Sequence, residues 1–366
     1  AVIVQAKSMA RASAVVRQAG GLLTAELQII DAVSATLTPG QQGQIARECI
    51  ECKVYADQAT RLMSSGGDPD PGFPTLISAN VVHLGGITGK GVTVAVIDSG
   101  FLNVSQYQKN YAGVTRLRAQ YNAFTNTVTT RNFVTDDVYG HGAHVTGIIA
   151  SSKKSALGLY QGIAPDAGLV NVKAFDQNGG STYTTLIKAI GWVVSNRTKH
   201  NIRVLNASFG APVGSWYWDD PMNQAIMKAW QAGIVVVVSA GNTGPNPMSI
   251  QAPGNVPYVI TVGAMTDSYT PFDGRDDYLA SFSAAGPTYE AHVKPDLVAP
   301  GGHNLSWIQR TSTLGVQFPK FFVDTTSGYY QLSGTSQAAA VVSGVAALML
   351  QASPTLSPAD VKCGLM

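Results

Sequence analysis

Charge is scarce in this sequence of 366 residues: Lys and Arg number 24, Asp and Glu 22, and charged residues make up 13% of the chain. The two signs nearly cancel, leaving a formal net charge of +2 with no basic block. Nucleic acid and anionic membrane surfaces are held by concentrated Lys and Arg, so neither is expected as a partner. Long apolar runs are lacking too. None reaches the roughly 18 residues of a membrane-spanning helix, and the run Ile234-Val235-Val236-Val237-Val238 is short and β-branched, as in a buried strand. Cysteine is rare, with only Cys49, Cys52 and Cys363. Cys49 and Cys52 have the spacing of a redox pair or of half a zinc site. No second pair or nearby histidine completes a metal site. The segment around them reads as a strand, on which residues three apart face opposite ways. No functional C-x-x-C is expected.

Present in quantity are hydrophobic residues, at 45%, and 38 glycines. That is a globular composition with ample core and many tight turns. Residues 1–57 read in the order strand, helix, strand, strand, helix, strand, which is that of a small ferredoxin-like α+β unit. Its second helix opens at Thr38-Pro39, a cap followed by proline in the first turn, and its last strand is expected over Cys49 to Asp57. Such a unit is near the lower size limit for a free-standing fold and is expected to lean on the rest of the chain. Residues 58–76, rich in Gly, Pro, Ser and Asp, read as a linker.

From residue 77 to 366, strands and helices alternate. Near-continuous β-branched strands between helices predict a mainly parallel sheet covered on both faces, a three-layer α/β/α architecture. In such sheets, active groups collect at the carboxyl ends of strands. Those ends carry Asp98-Ser99-Gly100, Ser208-Phe209-Gly210 and Ser239-Ala240-Gly241-Asn242, and His141 opens a predicted helix. The long small-residue segment after Gly334-Thr335-Ser336 reads as a buried helix. Ser336 at its start is either an ordinary N-cap or a nucleophile placed where the helix dipole favours negative charge. A nucleophilic serine needs a base, the base an orienting carboxylate, and the oxyanion a donor. His141, Asp98 and Asn242 supply those types.

The blocks Ala95-Val96-Ile97-Asp98-Ser99-Gly100, Gly140-His141-Gly142-Ala143-His144-Val145, Ser239-Ala240-Gly241-Asn242 and Gly334-Thr335-Ser336, in this order, resemble the subtilisin-like serine peptidases, the subtilases. Lys294-Pro295-Asp296-Leu297-Val298-Ala299-Pro300-Gly301 is similar to a further block of that family. The resemblance implies a subtilisin-like fold and a secreted serine endopeptidase that acts on protein or peptide substrates as a monomer. Ser336 would be the nucleophile, His141 the base, Asp98 its partner, and Asn242 with the Ser336 N–H the oxyanion hole. Ser208, Phe209 and Gly210 would pair with extended substrate. Ala240, Gly241 and Gln251 would border the pocket for the side chain before the cut bond. Residues 1–57 resemble an inhibitory propeptide, a partner held within the same chain, with the processing site inside 57–70. No cofactor is required by this chemistry. Structural calcium is compatible with the family, but no metal site is assigned.

Departures from the family pattern are Gln337 in place of Met, Ala340 in place of Pro and Ala143 in place of Thr. The family's usual calcium loop corresponds to Ser151-Ser152-Lys153-Lys154-Ser155, whose lysines suit a cation poorly. His141 and His144 lack the spacing of a zinc helix, and no metal pair is expected there. Asp136 and Asp137 read as a solvated loop or a cation site. No signal peptide is read in this sequence, and any targeting segment is expected to have been removed or omitted; the family's last helix is expected to continue past Met366. A binding protein of the same fold and a narrow processing protease are the rival readings.

Overall fold

The computed structural model describes residues 1–57, 59–62 as backbone, 72–270 and 273–366. The N-terminal unit comprises β1 (Val2–Gln5), α1 (Met9–Gln18), β2 (Leu22–Leu27), β3 (Ala32–Thr36), α2 (Pro39–Glu48) and β4 (Lys53–Ala56). Its strands pair antiparallel in the order β2-β3-β1-β4, the ferredoxin-like arrangement. Asp31 turns the chain between β2 and β3 in a left-handed conformation. Thr38 forms a capping box with Gln41 at the start of α2.

Two features differ from the sequence reading. The last strand begins only at Lys53, because Cys49 and Cys52 form a disulfide across the turn after α2. The two cysteines therefore face each other, where a strand would have pointed them apart. Within the expected linker, Ala59–Leu62 forms a strand, β5, and Phe73–Leu76 a short helix, α3. Residues 63–71, which hold most of the expected processing interval, lie outside the described residues.

The large domain continues with α4 (Ala79–Leu84), β6 (Thr93–Asp98), α5 (Ser105–Gln108), β7 (Leu117–Asn122), β8 (Thr127–Thr129), α6 (His141–Ala150), β9 (Gly168–Lys173), β10 (Gly180–Thr182) and α7 (Tyr183–His200). Then come β11 (Ile202–Ala207), β12 (Phe209–Gly210), α8 (Pro221–Gln231), β13 (Val235–Ser239), β14 (Ile260–Thr266), β15 (Tyr278–Leu279), β16 (Leu297–Pro300) and β17 (Asn304–Trp307). Last are α9 (Thr313–Gln317), β18 (Tyr329–Leu332), α10 (Thr335–Ala352) and α11 (Pro358–Leu365). The main sheet has the order β15-β14-β13-β11-β6-β9-β7-β8, with β16 also beside β14. All its central pairings are parallel, and only β15 and β8 run antiparallel to their neighbours.

Alternation along each central strand divides the core in two. Val94, Val96, Val204, Val235 and Val237 face one layer, built from α6 and α10. Ala95, Ile97, Leu205, Ala207, Val236 and Val238 face the other, built from α7 and α8. The N-terminal sheet obeys the same rule. Val2, Val4, Val33 and Ala35 pack on its own helices, whereas Ile3, Leu27, Ile30 and Ala32 join the α7–α8 core of the large domain. One face of the small sheet is thus covered only by its neighbour.

Helix α10 is buried over almost its whole length. It is also the one described helix long and apolar enough to cross a membrane, yet 78% of that span is packed inside the protein. Its small residues let it approach both the sheet and α6. At Gly344, an added Cβ would come within 2.5 Å of the Ile163 Cβ. Overpacking of that kind costs about 1–3 kcal/mol, more than the ~1 kcal/mol that alanine gains over glycine in a helix. Gly344→Ala in a Ser336→Ala background should therefore lower the thermal unfolding midpoint. An unchanged or higher midpoint would mean that Ile163 can yield.

Candidate active site

The carboxyl ends of the central strands and the N-termini of α6 and α10 meet in one cleft. Asp98 closes β6, and His141 is the first residue of α6. Both are fully buried, and His141 Nδ1 lies 2.8 Å from Asp98 Oδ1 and 3.0 Å from Oδ2. This contact orients the ring and leaves Nε2 buried without a hydrogen-bond partner among the described residues. The backbone N–H and hydroxyl of Ser99 both reach Asp98 Oδ1, and the Ser99 hydroxyl also accepts from Gly142 N at 2.9 Å. Gly142 is needed for this approach, since a Cβ there would fall 2.5 Å from the Gly100 carbonyl oxygen.

Asp137 corrects the solvated-loop reading. It is 2% exposed and caps the start of α6, accepting from Gly140 N at 2.8 Å, Ala143 N at 2.7 Å and the Ser99 hydroxyl at 2.8 Å. Burial pushes its carboxyl up from the ordinary range, and these donors oppose the shift. Asp136 is half-buried, and its Oδ1 accepts from Phe101 N at 2.7 Å. His144 is buried, and burial pushes its imidazole down to about 3. Its Nε2 lies 3.0 Å from the Tyr330 carbonyl, which makes it a neutral donor that braces α6.

Ser336 lies in the first turn of α10, where backbone N–H groups have no partner within the helix. Its hydroxyl donates to the Ser208 carbonyl at 3.1 Å, and the Ser208 hydroxyl donates to the Ser336 carbonyl at 3.0 Å. Asn206 Nδ2 donates to the Ser208 hydroxyl, and Ser343, two turns along α10, donates to Asn206 Oδ1, both at 2.9 Å. Asn242 Oδ1 accepts from the Thr335 N–H and from its hydroxyl, each at 2.9 Å. That hydroxyl accepts in turn from Gly241 N at 3.2 Å, where the backbone takes φ +119°. With Oδ1 committed, Asn242 Nδ2 points away from Thr335, buried and without a partner among the described residues. His141 Nε2 and Asn242 Nδ2 are thus two buried atoms without a partner among the described residues, and Asn242 is tied to Thr335, the residue before the serine.

The cleft wall is formed by β10 and β12, and a strand of the same chain lies between them. β5 pairs antiparallel with both: Arg61 stands opposite Gly180 on one side and Gly210 on the other, and Leu62 stands opposite Phe209. Asp176 closes the turn before β10 by accepting from Asn178 N and Gly180 N. Ala240 and Gly241 are buried, and Gln251 lies against them. Its N–H donates to the Ala240 carbonyl at 3.1 Å, and its Cγ is 3.2 Å from where a Gly241 Cβ would be.

The loop after α6 does not fit a calcium ion. Lys153 Nζ sits 4.9 Å from the Trp307 ring centre and 4.8 Å from that of Tyr329, and Lys154 Nζ sits 4.3 Å from Tyr111 and 4.5 Å from Tyr160. Two cations held on aromatic faces fill the place that oxygen ligands would need.

Residues 89–366 match the Subtilase family of peptidases (Peptidase_S8). This chain is a subtilase. It is 34% identical over 347 residues to serine protease AprX of Bacillus subtilis (strain 168), covering 91% of this chain and 73% of that protein. It is 31% identical over 359 residues to subtilisin E of the same organism, covering 98% and 80%. Among solved structures it resembles fervidolysin from Fervidobacterium pennivorans, described as a keratinolytic enzyme related to subtilisin, with a TM-score of 0.74 at 23% identity. That likeness, over 98% of this chain and 55% of the other, concerns the fold. The subtilase is accordingly a serine endopeptidase with the three-layer α/β/α architecture.

Asn206, Ser99, Asp137 and Thr335 are not legible as site residues in the sequence, because each reads as an ordinary strand, loop or cap residue. Gln337 stands out there only as a departure from the family pattern. It is fully buried, and neither atom of its side-chain amide has a hydrogen-bond partner among the described residues. An amide buried in that way costs about 1–3 kcal/mol. Gln337→Met, which removes the polar atoms at similar volume, should raise stability by about 1–2 kcal/mol. Denaturant unfolding in a Ser336→Ala background checks this, and a destabilised variant would mean that the amide has a partner such as water.

Proposed function

We propose that this subtilase is a secreted, self-processing zymogen whose residues 1–57 inhibit residues 77–366 until the connection between them is cut. The observation that carries the reading is β5, a strand of the chain itself paired between β10 and β12 as an extended substrate would be. Around it the N-terminal unit is held by Asp57, whose carboxylate accepts from the N–H and the hydroxyl of Thr184 at the start of α7, and by a Lys53–Asp219 ion pair. The Cys49–Cys52 disulfide favours an oxidising compartment, in line with secretion. The unit and the enzyme belong to one chain, so the inhibitor acts at high effective concentration and a monomer suffices.

In this reading Ser336 is the nucleophile. Its hydroxyl leaves the Ser208 carbonyl and gives its proton to His141 Nε2 as Oγ attacks the peptide carbonyl. Asp98 holds the Nδ1–H and stabilises the imidazolium. Asn242 Nδ2 and the Ser336 N–H receive the oxyanion. The imidazolium then protonates the leaving amine, and water hydrolyses the acyl-enzyme by the reverse sequence. Ser208, Phe209 and Gly210 bind substrate backbone. Ala240, Gly241 and Gln251 border the pocket for the side chain before the cut bond.

Register suggests the processing bond. Gly210 opposes Arg61 and Phe209 opposes Leu62, and Ser208, the next residue back, is bonded to Ser336. The same register extended by one residue of sequence would set Met63 against Ser208. The bond after Met63 is then the one offered for cleavage, within the 57–70 interval read from the sequence. N-terminal sequencing of the shortened protein should begin at Ser64, and Ser336→Ala should stay full length. A first residue other than Ser64 would refute this register, and one outside 58–71, or a shortened Ser336→Ala preparation free of added protease, would refute self-processing within the interval. Asn242→Ala should lower kcat by about 10²–10³ with a smaller change in KM, since its donor acts chiefly in the transition state. Peptide hydrolysis at the parent rate would remove Asn242 from the oxyanion site.

A further inference from the structure

The disulfide at the turn after α2 joins three elements of the N-terminal unit. Cys49 caps the end of α2, Cys52 directly precedes β4, and Arg11 of α1 reaches both the bridge and a residue enclosed by it. The expectation of no functional C-x-x-C rests on a strand that would point the cysteines apart. The turn, in which Cys52 N donates to the Cys49 carbonyl at 2.9 Å, removes that ground. The two sulfurs differ in access. Cys49 is 1% exposed and belongs to the unit's own core with Val15, Val33 and Ile45. Cys52 is half-buried, and Ile50 and Glu51, enclosed by the bridge, are exposed. They differ in charged neighbours as well. Arg11 Nη2 lies 3.9 Å from Cys49 Sγ, and Arg11 Nε lies 3.2 Å from Glu51 Oε1. A Glu51 carboxylate oxygen and the two sulfurs lie within 4.8 Å of one another.

A thiolate arriving from solvent meets Cys52 first. Thiol–disulfide exchange is faster when the leaving sulfur is stabilised as a thiolate, and a neighbouring guanidinium does this. Arg11 stands at the sulfur that would leave. Glu51 acts the other way, since its charge repels both the incoming and the leaving thiolate, and its pairing with Arg11 offsets that charge. We propose that Cys49–Cys52 is an exchange site at which a dithiol opens the N-terminal unit, with Cys52 Sγ attacked, Cys49 Sγ leaving and Arg11 assisting. In the first step one thiolate of the reductant bonds to Cys52 Sγ as the Cys49–Cys52 bond breaks, and Cys49 leaves as thiolate. In the second, the other thiol of the reductant, deprotonated, attacks the reductant's sulfur in that mixed disulfide, and Cys52 leaves as thiolate. The dithiol becomes a disulfide, two electrons pass to the protein, and two protons end on the cysteines. Reduction frees the end of α2 from the start of β4, the strand that pairs with β1 and runs on to Asp57 and β5. The regulatory consequence rests on the zymogen reading: reduction loosens the inhibitor and hastens activation, and oxidising surroundings keep it closed.

The exchange is tested on the full chain as Ser336→Ala, so that self-digestion does not intervene, with Cys363→Ser to remove the free exposed thiol. Dithiothreitol is the dithiol, chelator is present and denaturant is not. Alkylation followed by mass should show two thiols appearing together in the folded protein. Arg11→Ala should slow their appearance by about two- to fivefold and Glu51→Gln should quicken it by a similar factor, the effect of one unit charge at this range in a largely aqueous setting. Both variants break the same exposed ion pair, so a pair that only held the unit together would move the rate in one direction for both. That result, or thiols that appear only in denaturant, would overturn the exchange site. Trypsin should remove the N-terminal unit of the reduced protein about tenfold faster than that of the oxidised protein, as loss of a cross-link from a small unit implies. Cys49→Ala with Cys52→Ala should match the reduced rate whether or not dithiothreitol is added. Equal removal from both forms would overturn the loosening. With Ser336 restored, dithiothreitol should hasten the gain of activity by a similar factor, and the double cysteine variant should gain it as fast without reductant. A full-length chain as active as the shortened one would instead refute the zymogen reading, while the thiol and trypsin results still decide the exchange site.

Discussion

The N-terminus of α10 is bonded to the ends of two different strands, and the geometry of the cleft depends on that attachment. Ser208, just past β11, exchanges hydrogen bonds with Ser336 in both directions, and Asn242, just past β13, accepts twice from Thr335. Both strands belong to one parallel sheet, so their ends are held a fixed distance apart by the backbone ladder. The helix cannot slide along its axis without breaking bonds at both. Its small residues serve the same end: Gly344 against Ile163 lets α10 lie close enough for its first turn to reach those strand ends. Packing deep in the core therefore fixes the position of a hydroxyl at the surface of the sheet.

The second anchor is at α6. Asp137 satisfies two N–H groups at its start, and Ser99 links a third to Asp98. These bonds bring the carboxylate at the end of β6 and the imidazole at the start of α6 to within hydrogen-bonding distance inside a fully buried setting. A buried polar cluster is tolerable only when nearly every member is satisfied. Among the described residues, His141 Nε2, Asn242 Nδ2 and the Gln337 amide are buried polar groups left without a partner. The carboxylates of Asp98 and Asp137 behind them are fully engaged. Unmet polar capacity thus lies where a reacting group would have to be received, and the supporting charges are held.

Much of this is legible in the sequence. Asp, His, Asn and Ser each stand at an expected strand end or helix start, and the topology brings those positions together because parallel strands all present their carboxyl ends on one side. Proline and cap residues at Thr38-Pro39 and Asp220-Pro221 mark helix starts correctly. What stays hidden depends on contacts distant in the chain. Two adjacent aspartates look solvated until Gly140, Ala143 and Ser99 are seen to surround one of them. Lys153 and Lys154 read as poor company for a cation, but the aromatic faces that hold them, among them Tyr329 and Tyr111, lie elsewhere in the chain. The disulfide is hidden by a strand pattern that extends back through Cys49, and a turn after α2 makes the same spacing bridgeable. β5 carries no strand signal of its own, since its pairing partners lie more than a hundred residues onward.

The small N-terminal unit shows how one pattern can serve two purposes. A four-stranded antiparallel sheet with helices on one side leaves its other face in need of cover. Here Ile3, Leu27, Ile30 and Ala32 meet α7 and α8, so the unit completes its fold on the enzyme. The rim contacts are polar: Asp57 on Thr184, Lys53 on Asp219 and Gln5 on Gln224. Water can replace such contacts at little cost, as exposed pairs contribute only about 0–1 kcal/mol each. The apolar face cannot be released so cheaply. In the continuous chain that face is covered and β5 lies between β10 and β12. If the tether to residues 77–366 were cut, as proposed, the unit would have to hold itself by that apolar patch and a few replaceable polar contacts. In that proposal, a unit that uncovers this apolar face on leaving would also lose much of its resistance to proteolysis. The same incomplete core that makes the unit bind would make its removal irreversible.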